Sequence, residues 1–219
     1  MGKGLLLTGM MVNLMWGCSL GNAASIAVPM PVKDDSLSAV STEKDLIVAG
    51  GCFWGMEAVF LHVKGVKNAV SGYAGGTADT ATYEQVGSGK TGHAEAVRIV
   101  YDTSQVTIGQ LLRVYFGVAH DPTQLNYQGP DHGTQYRSAV FYNDESQKDI
   151  TEAYIRQLDA EKIFNSKIVT TLEPLDTFYP AETYHQNYVA FHPDSLYVMV
   201  HDAPKLMALE DTFPDLYVK

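Results

Sequence analysis

The chain has 219 residues, of which 46% are hydrophobic and 18% are charged. A chain of this size can bury one substantial core, so we expect a single globular domain. The formal net charge is -10 at pH 7. This acidic excess leaves no basic surface to displace counterions from phosphates, which argues against nucleic acid as the main partner. A protein or a small molecule is the expected substrate, and we expect a monomer.

The first residues have the pattern of a secretory signal peptide. Lys3 supplies a positive charge, residues 5–16 are mostly apolar and uncharged, and residues 21–23 are small or polar, as before a cleavage site. The apolar run is shorter than the ~20 residues of a membrane-spanning helix. We therefore predict that residues 1–23 are removed and that the protein is exported to the periplasm or cell envelope. A buried N-terminal helix or a membrane anchor is the alternative.

Cys18 allows a second interpretation of this segment. Residues 14–18 loosely resemble a bacterial lipoprotein signal, in which the cysteine becomes lipidated, although Met15 and Trp16 depart from that pattern. The following residues, 24–43, contain two prolines and several serines, which is typical of a flexible linker. One folded domain is expected over residues 44–219.

Cysteine usage points to Cys52. The chain has two cysteines, so Cys52 is the one free thiol if Cys18 is removed or acylated. An exported protein with one unpaired cysteine has no structural disulfide to form, which favours a reactive thiol. A buried, inert cysteine is the alternative.

The first element of the domain is a predicted strand over residues 45–49, ended by a turn at Gly50 and Gly51. A helical spacing then runs from Phe53 to about Val63. Cys52 therefore lies at a helix N-terminus, whose free N–H groups and dipole favour a thiolate.

The rest of the chain alternates between the two kinds of element. The pattern predicts strands over 66–73, 94–101, 135–142 and 168–175, and helices over 107–119, 144–164 and 181–191. This order predicts an α/β or α+β sandwich, a mixed sheet covered by helices.

Glu95 is the most informative residue after Cys52. Strand alternation places it on the same face as Val97, Ile99 and Tyr101. If that face is buried, the pKa of the carboxyl rises and it can act as a general acid near neutral pH. If the strand frays there, Glu95 simply faces water. Tyr83 and the polar loop over residues 125–136 are ambiguous from local sequence alone.

Two other sites are excluded by pattern. Residues 87–91 look like a phosphate-binding loop, but Glu84 stands where that motif requires glycine. The seven histidines form no His-Glu-x-x-His pattern, and Cys-x-x-Cys is absent, so no metal is expected.

Six ordered segments together resemble the methionine sulfoxide reductase A family. They are Gly50-Gly51-Cys52-Phe53-Trp54-Gly55, Gly72–Gly76, Tyr83–Val86, Gly92–Val97, Asp131–Ser138 and Ala181–Gln186. The resemblance spans Leu46 to about Phe191, which is most of the predicted catalytic domain over residues 44–219, and it implies a ferredoxin-like core. It also implies reduction of the S epimer of methionine sulfoxide, in proteins or free, through a sulfenic acid on the nucleophile.

The resemblance assigns the site residues one by one. Cys52 corresponds to the nucleophile and Glu95 to the acid that protonates the sulfoxide oxygen. Phe53 and Trp54 resemble the apolar walls around the substrate methyl group. The remaining catalytic positions are two hydroxyl donors to the oxygen and one member of the polar network: Tyr83, Tyr136 and Asp131.

The chain departs from many family members in one respect. No cysteine follows Cys52, so no resolving cysteine is present near the C-terminus. The resemblance thus implies a one-cysteine cycle without a bound cofactor, in which an external thiol, such as thioredoxin or glutaredoxin with glutathione, reduces the sulfenic acid. Two rival hypotheses are a cysteine acyltransferase or hydrolase that uses a histidine base, and a non-catalytic module that binds methionine or its sulfoxide.

Overall fold

The structure, a computed structural model, describes residues 25–219. The predicted signal peptide and Cys18 lie outside the described residues. The strands are β1 Glu43–Ala49, β2 Val66–Ala74, β3 Ala94–Asp102, β4 Tyr127–Gln128, β5 Asp131–His132, β6 Ala139–Tyr142, β7 Thr171–Pro174 and β8 Phe178–Pro180. The helices are α1 Phe53–Leu61, α2 Tyr83–Gly87, α3 Ile108–Val114, α4 Glu145–Ala160, α5 Tyr188–Phe191 and α6 Ala203–Thr212.

Six strands form one mixed sheet in the order β7-β6-β1-β3-β2-β8. Only the β6–β7 pair is parallel among these neighbours. The four central strands have the ferredoxin-like arrangement, because β3 lies antiparallel between β1 and β2, while α1 crosses from β1 to β2. The predicted fold class is therefore confirmed.

The two faces of the sheet differ in composition. One face carries the large core, in which β3 contributes Val97, Ile99 and Tyr101 beneath the helices. The opposite face is lined mainly by small residues of the central strands, with Ile47 and Phe141 as the larger ones. Strand alternation therefore sends every second residue of β3, beginning at Glu95, towards the helices.

Several predicted elements have different bounds in the structure. The helix predicted over 107–119 ends as α3 at Val114 and continues as a π-helical turn over Tyr115–Ala119. The strand predicted over 135–142 begins only at Ala139, because Thr134–Tyr136 form a 3₁₀ turn after Gly133, whose φ is 133°.

The prediction of one helix over residues 181–191 was wrong. A 3₁₀ turn, Thr183–His185, and the short α5 replace it. The break lies at Asn187, whose φ of 54° is left-handed and cannot continue a right-handed helix. The Gln186 side chain holds this break by donating hydrogen bonds to the carbonyls of Ser71 and Ala181.

Residues 25–42 form neither helix nor strand, and they lie along the domain. Val28 is only 1% exposed and belongs to the main core. The Tyr154 hydroxyl donates to the Pro29 carbonyl, and Thr107 donates to the Asp34 carboxylate. The domain boundaries remain predictions.

Across residues 25–219, no helix has both the length and the apolar character needed to cross a bilayer.

Candidate active site

Cys52 lies between the end of β1 and the first turn of α1. It is the N-cap residue of α1, as predicted, and it is 8% exposed. Gly51 before it has a φ of 90°, and its N–H donates to the Tyr136 carbonyl. A Cβ at Gly50 would lie 2.7 Å from the ring of His120, so this turn needs glycine for close packing as well as for conformation.

The environment of Cys52 opposes the thiolate in the unliganded protein. Burial raises the pKa of the thiol well above its ordinary value, and the nearby carboxylates of Glu95 and Asp202 raise it further. The backbone N–H of Trp54 and the Lys205 ammonium lower the pKa of Cys52. The helix N-terminus thus acts in the predicted direction, but burial outweighs it.

Glu95 is buried next to Cys52. It is 2% exposed, and its Oε2 accepts a hydrogen bond of 3.1 Å from the Phe53 N–H. Burial raises the pKa of Glu95 to about 8, and the Asp131 carboxylate adds to that increase. Of the two alternatives that the sequence left open for Glu95, the structure selects the buried one. At neutral pH the carboxyl keeps its proton and can donate it.

Trp54 forms an aromatic wall beside Cys52. Its indole stacks on Tyr188 with ring centroids 3.7 Å apart, and Tyr197 meets it edge-on at 5.9 Å. The indole N–H donates to His185 Nδ1 at 3.0 Å, which fixes the plane of the ring. These contacts hold the half-buried indole in one orientation.

Phe53 lies deeper than Trp54. Its side chain is fully buried, with ring centroids 5.9 Å from Tyr73 and 5.0 Å from His185. It is also stacked with Tyr83 at 6.5 Å. In this structure Phe53 therefore supports the wall from behind, whereas Trp54 is the partly exposed ring. A direct contact between Phe53 and a substrate stays a prediction.

The two predicted hydroxyl donors, Tyr83 and Tyr136, lie near Cys52 and Glu95. When ionised, Cys52 and Glu95 each raise the pKa of both Tyr83 and Tyr136, so the four groups lie close together. Burial, with Glu95, raises the pKa of Tyr83 to about 12 and that of Tyr136 above its ordinary range. Both hydroxyls therefore remain protonated donors throughout the physiological pH range. Glu182 anchors the start of α2 by accepting from the Tyr83 N–H at 3.0 Å.

The segment from Tyr197 to Lys205, called the C-terminal segment below, supplies site residues that the sequence did not predict. Tyr197 donates a short hydrogen bond to Asp131 Oδ2, which ties the predicted polar network to the segment before α6. Asp202 and Lys205 lie against the first turn of α1. Asp202 followed closely by Pro204 is a helix-start signal that could have predicted α6. Local sequence contains no signal that Asp202 lies against the first turn of α1.

The described part of the chain, residues 25–219, contains no group of three or more potential metal-ligating side chains. In the same range, no hydrogen bond joins Cys52 to a histidine: His185 is occupied by Trp54, and His120 bonds Tyr115 and Ser138. The geometry thus provides a thiol with a neutral carboxylic acid and hydroxyl donors, but no imidazole base of the kind that an acyltransferase needs.

Comparison with known proteins decides the family. The family model described as "Peptide methionine sulfoxide reductase" matches residues 44–216. The chain belongs to the peptide methionine sulfoxide reductase family. The match includes every residue of the site described above.

Individual relatives agree with this assignment. A peptide methionine sulfoxide reductase MsrA 2 of Mesorhizobium japonicum is 58% identical over 78% of this chain and 88% of its own length. Its namesake from Synechocystis sp. is 48% identical over 91% of this chain and 94% of its own length.

Two solved structures have a similar fold. Methionine sulfoxide reductase A of Corynebacterium diphtheriae has a TM-score of 0.59 and 34% identity, and covers 78% of this chain and 89% of its own. Reduced Mxr1 from Saccharomyces cerevisiae has a TM-score of 0.63 and 30% identity, over 75% of this chain and 92% of its own.

Proposed function

We propose that this protein is an oxidoreductase that repairs oxidised proteins by reducing the S epimer of methionine sulfoxide to methionine. The observation that carries the proposal is the pairing of Cys52, at the start of α1, with the buried Glu95, whose pKa of about 8 keeps it protonated. Family membership supports the same reaction. The preference for the S epimer rests on the family resemblance.

In the proposed reaction, Cys52 Sγ attacks the sulfoxide sulfur while Glu95 protonates the sulfoxide oxygen, and the proton that leaves the thiol restores the neutral carboxyl of Glu95. The oxygen then passes to Cys52, giving methionine and a sulfenic acid. Sγ is oxidised by two electrons and the substrate sulfur is reduced by two. Tyr83 and Tyr136 donate hydrogen bonds to the oxygen as negative charge develops on it. Trp54 forms the apolar surface for the methyl group.

The resting thiol has a functional explanation in this scheme. Glu95 loses its proton only when a polar oxygen accepts it, and Cys52 needs its thiolate only when a substrate is bound. A thiol with a raised pKa is also a weaker target for oxidants. We infer that substrate binding, rather than the free protein, activates the nucleophile.

The sulfenic acid is returned to the thiol by an external reductant in our proposal. Because no cysteine follows Cys52 in the sequence, two reductant thiols supply the electrons: the first forms a mixed disulfide and releases water, and the second releases the enzyme thiol. A thioredoxin-like protein, or glutaredoxin with glutathione, suits this step. No bound cofactor is required.

Turnover of a peptide containing methionine S-sulfoxide, with dithiothreitol as reductant, tests the assignment. We expect Cys52→Ser to abolish turnover and the matched variant Cys18→Ser to retain it. Retained activity in Cys52→Ser would refute the role of Cys52. An equal loss in both variants would instead show that Cys18 is also required, and equal turnover of the R epimer would remove the stereochemical claim.

We also propose export, on the basis of the residue pattern in 1–23 and of Cys18. Intact mass of protein from fractionated cells tests it. A mature chain beginning near Ala24, or a lipid on Cys18, in the envelope fraction supports export. An uncleaved chain confined to the cytosol contradicts it.

A further inference from the structure

Two charged side chains of the C-terminal segment lie against the first turn of α1. Asp202 has no exposed surface, and neither of its carboxylate oxygens has a hydrogen-bond partner within residues 25–219. Lys205 Nζ lies 3.8 Å from Asp202 Oδ1, and its side chain is only 13% exposed. This is an ion pair held away from water.

The contact with α1 is close enough to require a glycine there. A Cβ at Gly55 would lie 2.2 Å from Asp202 Oδ1 and 3.0 Å from Lys205 Nζ. Gly55 is three residues after Cys52, in the helical turn that begins with the nucleophile. Both charges therefore act on the sulfur through the protein interior rather than through bulk water. Electrostatic interactions are stronger in the interior, because its effective dielectric constant is lower.

Stability alone does not explain such a pair. Removing two charges from water costs about as much as their attraction returns, and apolar residues of similar volume are often as stable. An ion pair placed next to a reactive thiol is better explained by its effect on the charge of that thiol.

We propose that Asp202 and Lys205 are positioning residues that set how readily Cys52 forms a thiolate. The Lys205 ammonium favours the thiolate, whereas the Asp202 carboxylate opposes it and holds Lys205 in place. This inference rests on the proposed function only in taking Cys52 as the nucleophile.

Other charged groups also face Cys52, and they have to be separated from this pair. Glu95 on β3 raises the pKa of Cys52, as Asp202 does, and Lys205 lowers it. His120, packed on Gly50, is neutral near pH 7 because burial lowers its pKa to about 4. Burial raises the pKa of Asp202 to about 6, so Asp202 is ionised at pH 8. Other ionisable groups around the site include Tyr83, Asp131, Tyr136, His185 and Tyr197.

The rate at which iodoacetamide alkylates Cys52 at pH 8 tests the proposal, since the rate follows the thiolate fraction. The full chain carries Cys18→Ser in every sample, so that one thiol remains. We expect Asp202→Asn to raise the rate about three- to tenfold and Lys205→Met to lower it by a similar factor. Lys205→Arg, which keeps the charge, should retain the original rate.

A matched control is the exposed ion pair of Lys148 and Glu145 on α4, which has the same spacing in sequence. Lys148→Met and Glu145→Gln should leave the alkylation rate unchanged. If the pair has only a structural role, Asp202→Asn and Lys205→Met should change the alkylation rate in the same direction or leave it unchanged. Either result overturns the proposal. If Lys205→Met does not fold, an unchanged rate in Asp202→Asn alone overturns it.

Alkylation does not depend on sulfoxide turnover, so the two claims fail separately. Opposite rate changes in a protein without reductase activity would refute the proposed function alone. Normal turnover without opposite rate changes would refute the role of the pair alone.

Discussion

Glu95 can donate a proton only while its carboxyl is neutral, so its pKa of about 8 sets an upper pH limit for the reaction. We expect kcat with a methionine S-sulfoxide peptide to fall as the pH rises through about 8, because the acid form is lost. Glu95→Gln keeps an acceptor for the Phe53 N–H but removes the acid. It should lower kcat by roughly 10²–10³-fold.

The pH profiles of the two proteins are the check on this role. The variant should lose the decline that Glu95 causes near pH 8, since Gln does not titrate. If Glu95→Gln retains both the wild-type rate and the same decline, Glu95 is not the acid.

At the scale of single residues, the sequence predicted those site residues whose chemical type and position in a strand or turn both indicate a role. Cys52 after a glycine turn and Glu95 in phase with Val97 are visible without a structure, and the structure buries both acid and thiol. The helix N-terminus suggested a thiolate, but burial depends on packing that the sequence does not reveal. Asp202 was missed for the same reason, because it reaches Gly55 only through tertiary structure.

Two glycines in helices offer a direct comparison at the scale of elements. Gly55→Ala would gain about 1 kcal/mol of helix propensity. It also places a Cβ 2.2 Å from Asp202, so we expect a net loss of stability. Gly87→Ala in α2 has no atom within 4 Å of the new Cβ and should be neutral or slightly stabilising. Urea unfolding of both variants checks this, and a stabilised Gly55→Ala would contradict the described packing of α6 on α1.

Glu57 connects α1 with α5 and makes the stability of the protein depend on pH. It is 1% exposed, and its Oε2 accepts from the Asn187 N–H at 2.8 Å, next to the Tyr188 that stacks on Trp54. Burial raises its pKa from 4.5 to about 7. The folded state therefore holds this proton more tightly than the unfolded state, and the associated stability is lost as the pH rises from about 4.5 through 7.

Glu57→Gln keeps the acceptor and cannot ionise. We expect the variant to gain stability relative to wild type at pH 8 and to gain little at pH 5, as measured by urea unfolding at both values. The exposed Glu145→Gln is the control and should change neither value. A Glu57→Gln protein that is less stable at pH 8 than wild type would show that Glu57 is not a buried, titrating group.

Elements with a clear period were predicted well, whereas those fixed by distant side chains were not. β1, β2 and β3 have nearly their predicted bounds, and Asp144 caps α4 by accepting from the Gln147 N–H. The sequence after residue 180 looked helical. Its backbone is instead set by long-range bonds of Gln186 to β2, which no local pattern encodes.

Across the whole molecule, residues 25–42 contribute to the stability of the domain. Val28 is 1% exposed, whereas Val32 in the same segment is 90% exposed. We expect Val28→Ala to cost about 1–3 kcal/mol in free energy of unfolding, because it leaves a cavity. Val32→Ala should change stability by about 0.5 kcal/mol or less. Equal, small effects in thermal or urea unfolding would mean that this segment is detached from the domain in solution.

The fold class and the ferredoxin-like core were predictable because alternating strands and helices, together with the family motifs, restrict the topology. The contribution of the C-terminal segment to the site was not, because it depends on how α6 packs on α1. With that contribution, the site combines a buried thiol, a neutral carboxyl and an ion pair around one sulfur atom.

Intact mass after one turnover is the most direct test of the central claim, that Cys52 alone carries the chemistry. The Cys18→Ser protein, reduced and freed of reductant, is mixed with excess methionine S-sulfoxide peptide, and methionine formation is quantified alongside protein mass. We predict one methionine per chain and one oxygen atom added at Cys52, trapped by dimedone and absent from the Cys18→Ser/Cys52→Ser double variant. Methionine formation without oxidation of Cys52, or oxidation that persists in the double variant, would contradict the account.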